Sequence, residues 1–164
     1  MNKYSQKYCL VTFFDELDDG TQFKYSQWPM HITIADTFAC DKINKATEAL
    51  QSLIPNQNEI NTSMGEDEYF GADKQVHVTL VNMNEKLLAL HMEVVEILKS
   101  KGAVFNDPQY IEDGYKAHVT VQKNFRLNEG DTITLNSVSL VDMFYEGDHQ
   151  QRKILKTFQF SNNQ

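Results

Sequence analysis

Three of the five histidines share one four-residue frame: His31-Ile32-Thr33-Ile34, His77-Val78-Thr79-Leu80 and His118-Val119-Thr120-Val121. In each, a His and a Thr stand two places apart with apolar, mostly β-branched residues around them, the pattern of a β-strand of period two. Alternation puts imidazole and hydroxyl on one face, roughly 6.5–7 Å apart at about 3.3 Å rise per residue. One phosphate can touch both, the ring to move a proton and the hydroxyl to hold an oxygen. Thr fills 11 of 164 positions. About one His in fifteen would then carry a Thr two places on by chance, and three in five is roughly a few-in-a-thousand event, a figure that strand enrichment of Thr loosens.

The chain that must position these groups is 41% hydrophobic and 23% charged, enough for one globular domain or two half-sized lobes sharing a cleft. A formal net charge of −8 argues against gripping long RNA or DNA through phosphate neutralisation, which needs a basic face. Short anionic substrates remain open. The apolar run over 8–14 is short and lacks a small-residue cleavage site, and no segment approaches the ~18–20 apolar residues that span a bilayer. The expectation is a soluble monomer in the cytoplasm. Cys9 and Cys40 stand alone among apolar neighbours, without metal spacing or a redox pair, and read as buried thiols in a reducing compartment.

Strands are expected over 9–14 and 30–35. Asp41 is placed to cap a helix whose apolar positions Ile43, Ala46, Leu50 and Leu53 keep helical spacing until Pro55 ends it. A polar stretch follows, then a strand over 75–81. Asn84 is placed to cap a second helix with one stripe of Leu87, Leu88, His91, Val94, Val95 and Leu98, stopped at Gly102. His91 on that stripe reads as a hydrogen-bonded core group. Further strands are expected over 116–122, 132–135, 138–145 and 154–160. No low-complexity tract or linker rich in Pro, Gly or Ser divides residues 1–164, which read as a single domain. Helices interspersed with strands close enough to pair antiparallel indicate an α+β fold with helices packed on sheets.

The frames at His31 and His118 lie 87 positions apart (118 − 31). The pair resembles the two H-x-T-x signatures of the 2H phosphoesterase superfamily, which includes 2'-5' RNA ligase-like and cyclic phosphodiesterase proteins. The resemblance runs from the first strand to the late Leu135-Asn136-Ser137 and the two strands after it. It implies two lobes of mainly antiparallel sheet related by a pseudo-twofold axis, helices packed outside, and a central cleft to which each lobe gives one motif strand. It implies His31, Thr33, His118 and Thr120 as the catalytic residues and leaves His77, on the strand feeding the second helix, outside the pair. Ala117 stands where relatives often carry a Pro before the second His, a departure that touches the subfamily more than the chemistry.

Cleaving a phosphodiester without a metal needs one group to take a proton from the nucleophile and another to give one to the leaving oxygen. Two imidazoles with an ordinary pKa near 6.5 can divide those roles at neutral pH, while Thr33 and Thr120 donate hydrogen bonds to the non-bridging oxygens. Which His is acid and which is base stays open. Tyr25, Trp28, Phe38, Tyr110 and Tyr115 lie near the motifs; Trp28 and Tyr115 are the candidates to stack a base. Lys116, two residues before His118 and so on its face, is the candidate to meet a phosphate. No zinc signature or Gly-rich phosphate loop is present, so neither metal nor cofactor is expected. The expected function is a metal-independent phosphodiesterase acting on a 2',3'-cyclic phosphate, a 2'-5' linkage or another small, even cyclic, oligonucleotide, with RNA ligation as the reverse reaction. The alternatives are a nucleotide- or RNA-binding module of the same fold without turnover, and an interaction domain whose frames are accidental.

Overall fold

The first apolar run forms β1 (Tyr8–Phe13), buried at every position, in a computed structural model that describes residues 5–161. A strand covered on both faces belongs inside a sheet. After it come β2 (Gln22–Lys24), β3 (His31–Ala39), helix α1 (Ile43–Leu53), β4 (Ile60–Phe70), β5 (Val76–Val81), helix α2 (Glu85–Ser100), β6 (Val104–Phe105), β7 (His118–Thr120), β8 (Thr132–Leu135), β9 (Ser137–Asp142) and β10 (Gln151–Gln159). They build a six-stranded sheet, β2-β10-β9-β1-β3-β6, and a four-stranded sheet, β7-β5-β4-β8. Every pairing between these strands is antiparallel, and the fold is α+β.

Strand β1 divides its side chains by parity. Tyr8 and Leu10 enter the main core, with Leu50 of α1, Leu90 of α2, Met64 of β4 and Val119 of β7, so both sheets and both helices share one interior. Cys9, Val11 and Phe13 enter a smaller cluster on the other face, with Val141 and Ile154. Both cysteines are buried free thiols.

The polar stretch after α1 is the eleven-residue β4, buried only at Ile60 and Met64. Two apolar positions are too few for alternation to show it. It forms because its backbone is paired on both sides, with β8 over 60–63 and β5 over 64–70. Asp41 does not cap α1: the N-cap is Lys42, without a side-chain hydrogen bond, and Asp41 stands one residue too early for its carboxylate to serve as the cap. Asn84 caps α2, its Oδ1 accepting the Leu87 N–H at 2.8 Å, and Gly102 leaves the helix at φ +86°. On α2 the buried face takes Leu90 in place of Leu88. The strand expected over 116–122 is regular only over β7, although Val121 N–H still reaches the His77 carbonyl at 2.9 Å. Among the described residues no helix is long and apolar enough to cross a membrane.

Strand β3 runs on to Ala39, past the expected end, and its pairing with β1 slips. Val11 faces Thr33 but Leu10 faces Ala35, so Ile34 is the extra residue of a β-bulge. Ile32, Ile34 and Ala35 all enter the main core; the bulge inverts parity at Ala35 and Asp36, and a second register shift before Phe38 restores it. Asp36, which unbroken alternation would bury with Ile34, comes out on the face of His31 and Thr33.

Leu50 is fully buried and Leu88 is 39% exposed. Leu50→Ala is expected to cost about 2–5 kcal/mol and Leu88→Ala within about 0.5 kcal/mol, as read by urea unfolding; equal costs would contradict this core.

Candidate active site

His31 opens β3 and His118 opens β7. Each donates its Nδ1–H to the carbonyl two residues earlier, His31 to Pro29 at 2.8 Å and His118 to Lys116 at 2.9 Å. A carbonyl can only accept, so both neutral rings carry the proton on Nδ1 and keep the Nε2 lone pair for other work. The same local device thus orients both rings. His31 packs on Trp28, ring centroids 4.6 Å apart, and on Phe13 at 6.0 Å. Burial holds its imidazole below the usual His range; the bond to Pro29 opposes this, and the charge of His118 adds a further downward push. His118 meets the edge of Phe70 at 4.7 Å.

Register sorts the three frames. His118 faces Leu80 and Thr120 faces Val78 across the β5–β7 ladder, so His118 and Thr120 share a face while His77 and Thr79 point to the other. On that other face His77 Nε2 meets Asp67 at 2.8 Å, its ring stacked on Tyr69 at 4.5 Å. Asp67 also receives Arg126 at 2.7 Å; the bonds from Arg126 and then His77 hold its carboxyl below the ordinary carboxylate range. Thr79 donates to the Leu127 carbonyl at 2.9 Å. The third frame ties β4, β5 and the loop between β7 and β8 together.

A cleft of about 630 Å³ is lined by Thr33, Asp36, Tyr115, Lys116 and His118, with Tyr69, Phe70, Gln109 and Tyr110 around it. Lys116 is partnered at this wall, its ammonium 2.7 Å from the Glu68 carboxylate and 5.6 Å from the Phe70 ring centre. Trp28 lies behind His31, against Phe23 at 4.9 Å, and its carbonyl accepts from Gln122 at 3.0 Å; it supports the imidazole. Phe38 is core. Tyr69, Phe70, Gln109 and Asp36 escaped sequence reasoning as cleft residues. The aromatic pair at the end of β4 and a lone carboxylate just past the first motif were the available signals. Among the described residues no cluster of three or more His, Cys, Asp or Glu is placed to hold a metal ion.

Tyr115 serves less as a stacking platform than as a tie. Its hydroxyl donates to the Thr33 carbonyl at 2.8 Å, and its ring lies on His91 at 3.8 Å with planes 4° apart. His91 donates Nδ1–H to the Ile34 carbonyl at 2.7 Å and accepts the Glu112 N–H on Nε2 at 2.9 Å. Both ring nitrogens are therefore used, and burial holds His91 below the usual His range.

A model of the 2'-5' RNA ligase superfamily matches residues 11–134. No curated protein matches the chain in sequence. Among solved structures, E. coli LigT complexed with 3'-AMP superposes with TM-score 0.62 at 12% identity, covering 94% of this chain and 98% of that one. A structure described as a phosphoesterase gives 0.60 at 12% identity, with 95% and 98% covered. A Thermus thermophilus protein gives 0.58 at 13% identity, with 93% and 97% covered. At such identities these likenesses concern the fold.

Two outcomes are expected of the His91–Tyr115 tie. Above about pH 6.5 both native and unfolded His91 are neutral. Below it the unfolded chain takes up a proton that the native ring resists, so stability falls as pH falls towards the depressed value. His91→Gln should flatten that slope in denaturation curves measured from pH 7 to 5; an unchanged slope would show that His91 does not contribute. Tyr115→Phe leaves the Thr33 carbonyl without its donor and is expected to cost about 1–3 kcal/mol.

Proposed function

The chain belongs to the 2'-5' RNA ligase superfamily, and from that premise we propose that it is a metal-independent phosphoesterase acting on a small nucleotide, with His31 as general base and His118 as general acid. Membership supports a phosphoesterase-type activity; the residues and substrate are our reading. The observation that carries it is the repeated geometry of the two motif histidines. Both are anchored through Nδ1 to a carbonyl two residues back, both keep Nε2 available, and they lie close enough for one charge to act on the other.

The substrate we propose is a 2',3'-cyclic phosphate or a 2'-5'-linked oligonucleotide. Neutral His31 takes a proton from water through Nε2 as the water oxygen bonds to phosphorus. Protonated His118 gives its Nε2 proton to the ribose oxygen as the other P–O bond breaks, leaving a phosphomonoester and a free hydroxyl. Thr33 and Thr120 donate to the non-bridging oxygens while phosphorus is five-coordinate. The direction of the proton relay comes from burial: the ring held below the usual range is the one available as a base near neutrality. Ligation follows the same path on a 2',3'-cyclic phosphate with the hydroxyl of a second strand attacking phosphorus in place of water, so that a new P–O bond forms as the ring P–O bond breaks and the ribose oxygen takes the proton. The 3'-AMP held by E. coli LigT supports a nucleotide ligand for this fold.

His31→Ala and His118→Ala should each lower turnover of a 2',3'-cyclic nucleotide by about 10²–10⁴, Thr33→Ala and Thr120→Ala by less, and His77→Gln should leave the chemical step largely intact. Chelator should not change the rate. Because the base must be unprotonated, kcat/KM should rise with pH through the His31 pKa, placing the acid limb below about 6.5. Wild-type turnover by folded His118→Ala would overturn the assignment, and an acid limb well above 6.5 would reverse the two roles.

A further inference from the structure

We propose that the cleft selects guanine, and that Asp36 is the specificity-determining residue. The inference rests on the reading of the site as a nucleotide phosphoesterase and names the base it takes. Asp36 reaches the cleft only because the β3 bulge at Ile34 reverses strand parity. Bulges re-aim side chains in this way beside functional sites. Among the described residues its carboxylate forms no ion pair and accepts only from Thr37, the N–H at 2.8 Å and the hydroxyl at 3.5 Å, both at Oδ1. Oδ2 accepts from no protein group among the described residues, and the residue lines the cleft.

A carboxylate repels phosphate, so it suits the far end of the ligand. Three residues of strand separate Asp36 from Thr33, and with Ile34 taken up by the bulge the rise between them is roughly 6.5–7 Å, enough to set the carboxylate beyond the ribose when Thr33 holds the phosphate. Tyr110, 56% exposed, offers an open ring on the same cleft for stacking. Gln109 supplies an amide there, on a loop so tight that a Cβ on Gly114 would stand 1.9 Å from the Gln109 carbonyl oxygen.

Acceptor-only chemistry discriminates among bases. Adenine and cytosine set one amine beside a ring-nitrogen acceptor, and uracil sets one N–H between two carbonyls. Guanine alone places two donors side by side, N1–H and the 2-amino group, matching two carboxylate oxygens, while its O6 can accept from the Gln109 amide.

The test is equilibrium binding of the four nucleoside 2'- and 3'-monophosphates to the full chain, with hydrolysis of the four 2',3'-cyclic nucleotides measured separately. The guanine nucleotides should bind roughly ten- to a hundredfold tighter than the other three. Asp36→Asn, which keeps the acceptor for Thr37 but turns one oxygen into a donor, should lower the guanine-to-adenine ratio at least tenfold. Binding of all four bases within threefold, or a guanine preference that survives in folded Asp36→Asn, overturns the inference even if every cyclic nucleotide is hydrolysed. Selective guanine binding with no hydrolysis of any cyclic nucleotide would instead uphold it and overturn the catalytic reading. Should Asp36→Asn not fold, the wild-type binding series still decides.

Discussion

Two consecutive backbone carbonyls, those of Thr33 and Ile34, set the demand that the rest of the site answers. On the edge away from β1, β3 meets β6 only at Phe38 and Ala39, so the earlier carbonyls have no strand partner there. Leaving a buried carbonyl unpaired costs about 1–3 kcal/mol, and consecutive carbonyls of a regular strand point to opposite edges. The bulge lets both be met by one stacked pair, Tyr115 and His91. These donors come from the loop before β7 and from α2. Meeting the demand therefore ties the second motif, three residues after Tyr115, to the first.

The same loop is held from its own side. The Glu112 N–H closes on His91 with Glu112 in the left-handed region at φ +58°, and Lys99 pairs with its carboxylate. A non-glycine residue holds that conformation only when its surroundings over-determine it. Farther along, Gln122 reaches back to the Trp28 carbonyl, so each flank of the second motif is bonded to a segment of the first. Fixing both rings through backbone carbonyls, rather than through carboxylates, sets no anion against the His31 imidazole to raise its pKa. Burial then decides, and it holds the His31 imidazole below the usual His range despite the bond to Pro29.

Much of this was legible in the sequence. The His-x-Thr frames, the two amphipathic helices, the Asn84 cap and the buried cysteines follow from periodicity and capping chemistry, which are local. Tertiary pairing hid the rest. Strand β4 is polar because its backbone, more than its side chains, is what the second sheet uses. Asp36 was invisible as a cleft residue because a bulge is a matter of register between two strands far apart in sequence, and parity counted along β3 alone puts its side chain in the core. Tyr115 was noticed for its ring, whereas its hydroxyl is committed to a carbonyl 82 residues away.

Register also explains why three identical frames need not be equivalent. Antiparallel neighbours share a face when they are directly paired or an even number of residues from a pair, and Val78, not His77, stands opposite Thr120. One step of register separates a frame that faces the cleft from one that faces away. His77 and Thr79 are left to bind Asp67 and the Leu127 carbonyl, while Arg126 closes the charge balance at Asp67. With Arg126 and Lys116 both bound to carboxylates, neither cation is free to attract phosphate from a distance. In the proposed reaction a developing negative charge is then met at short range, by imidazole and hydroxyl donors of the two motif strands. A site of that kind would gain little from a long polyanion, which fits the chain's net charge of −8.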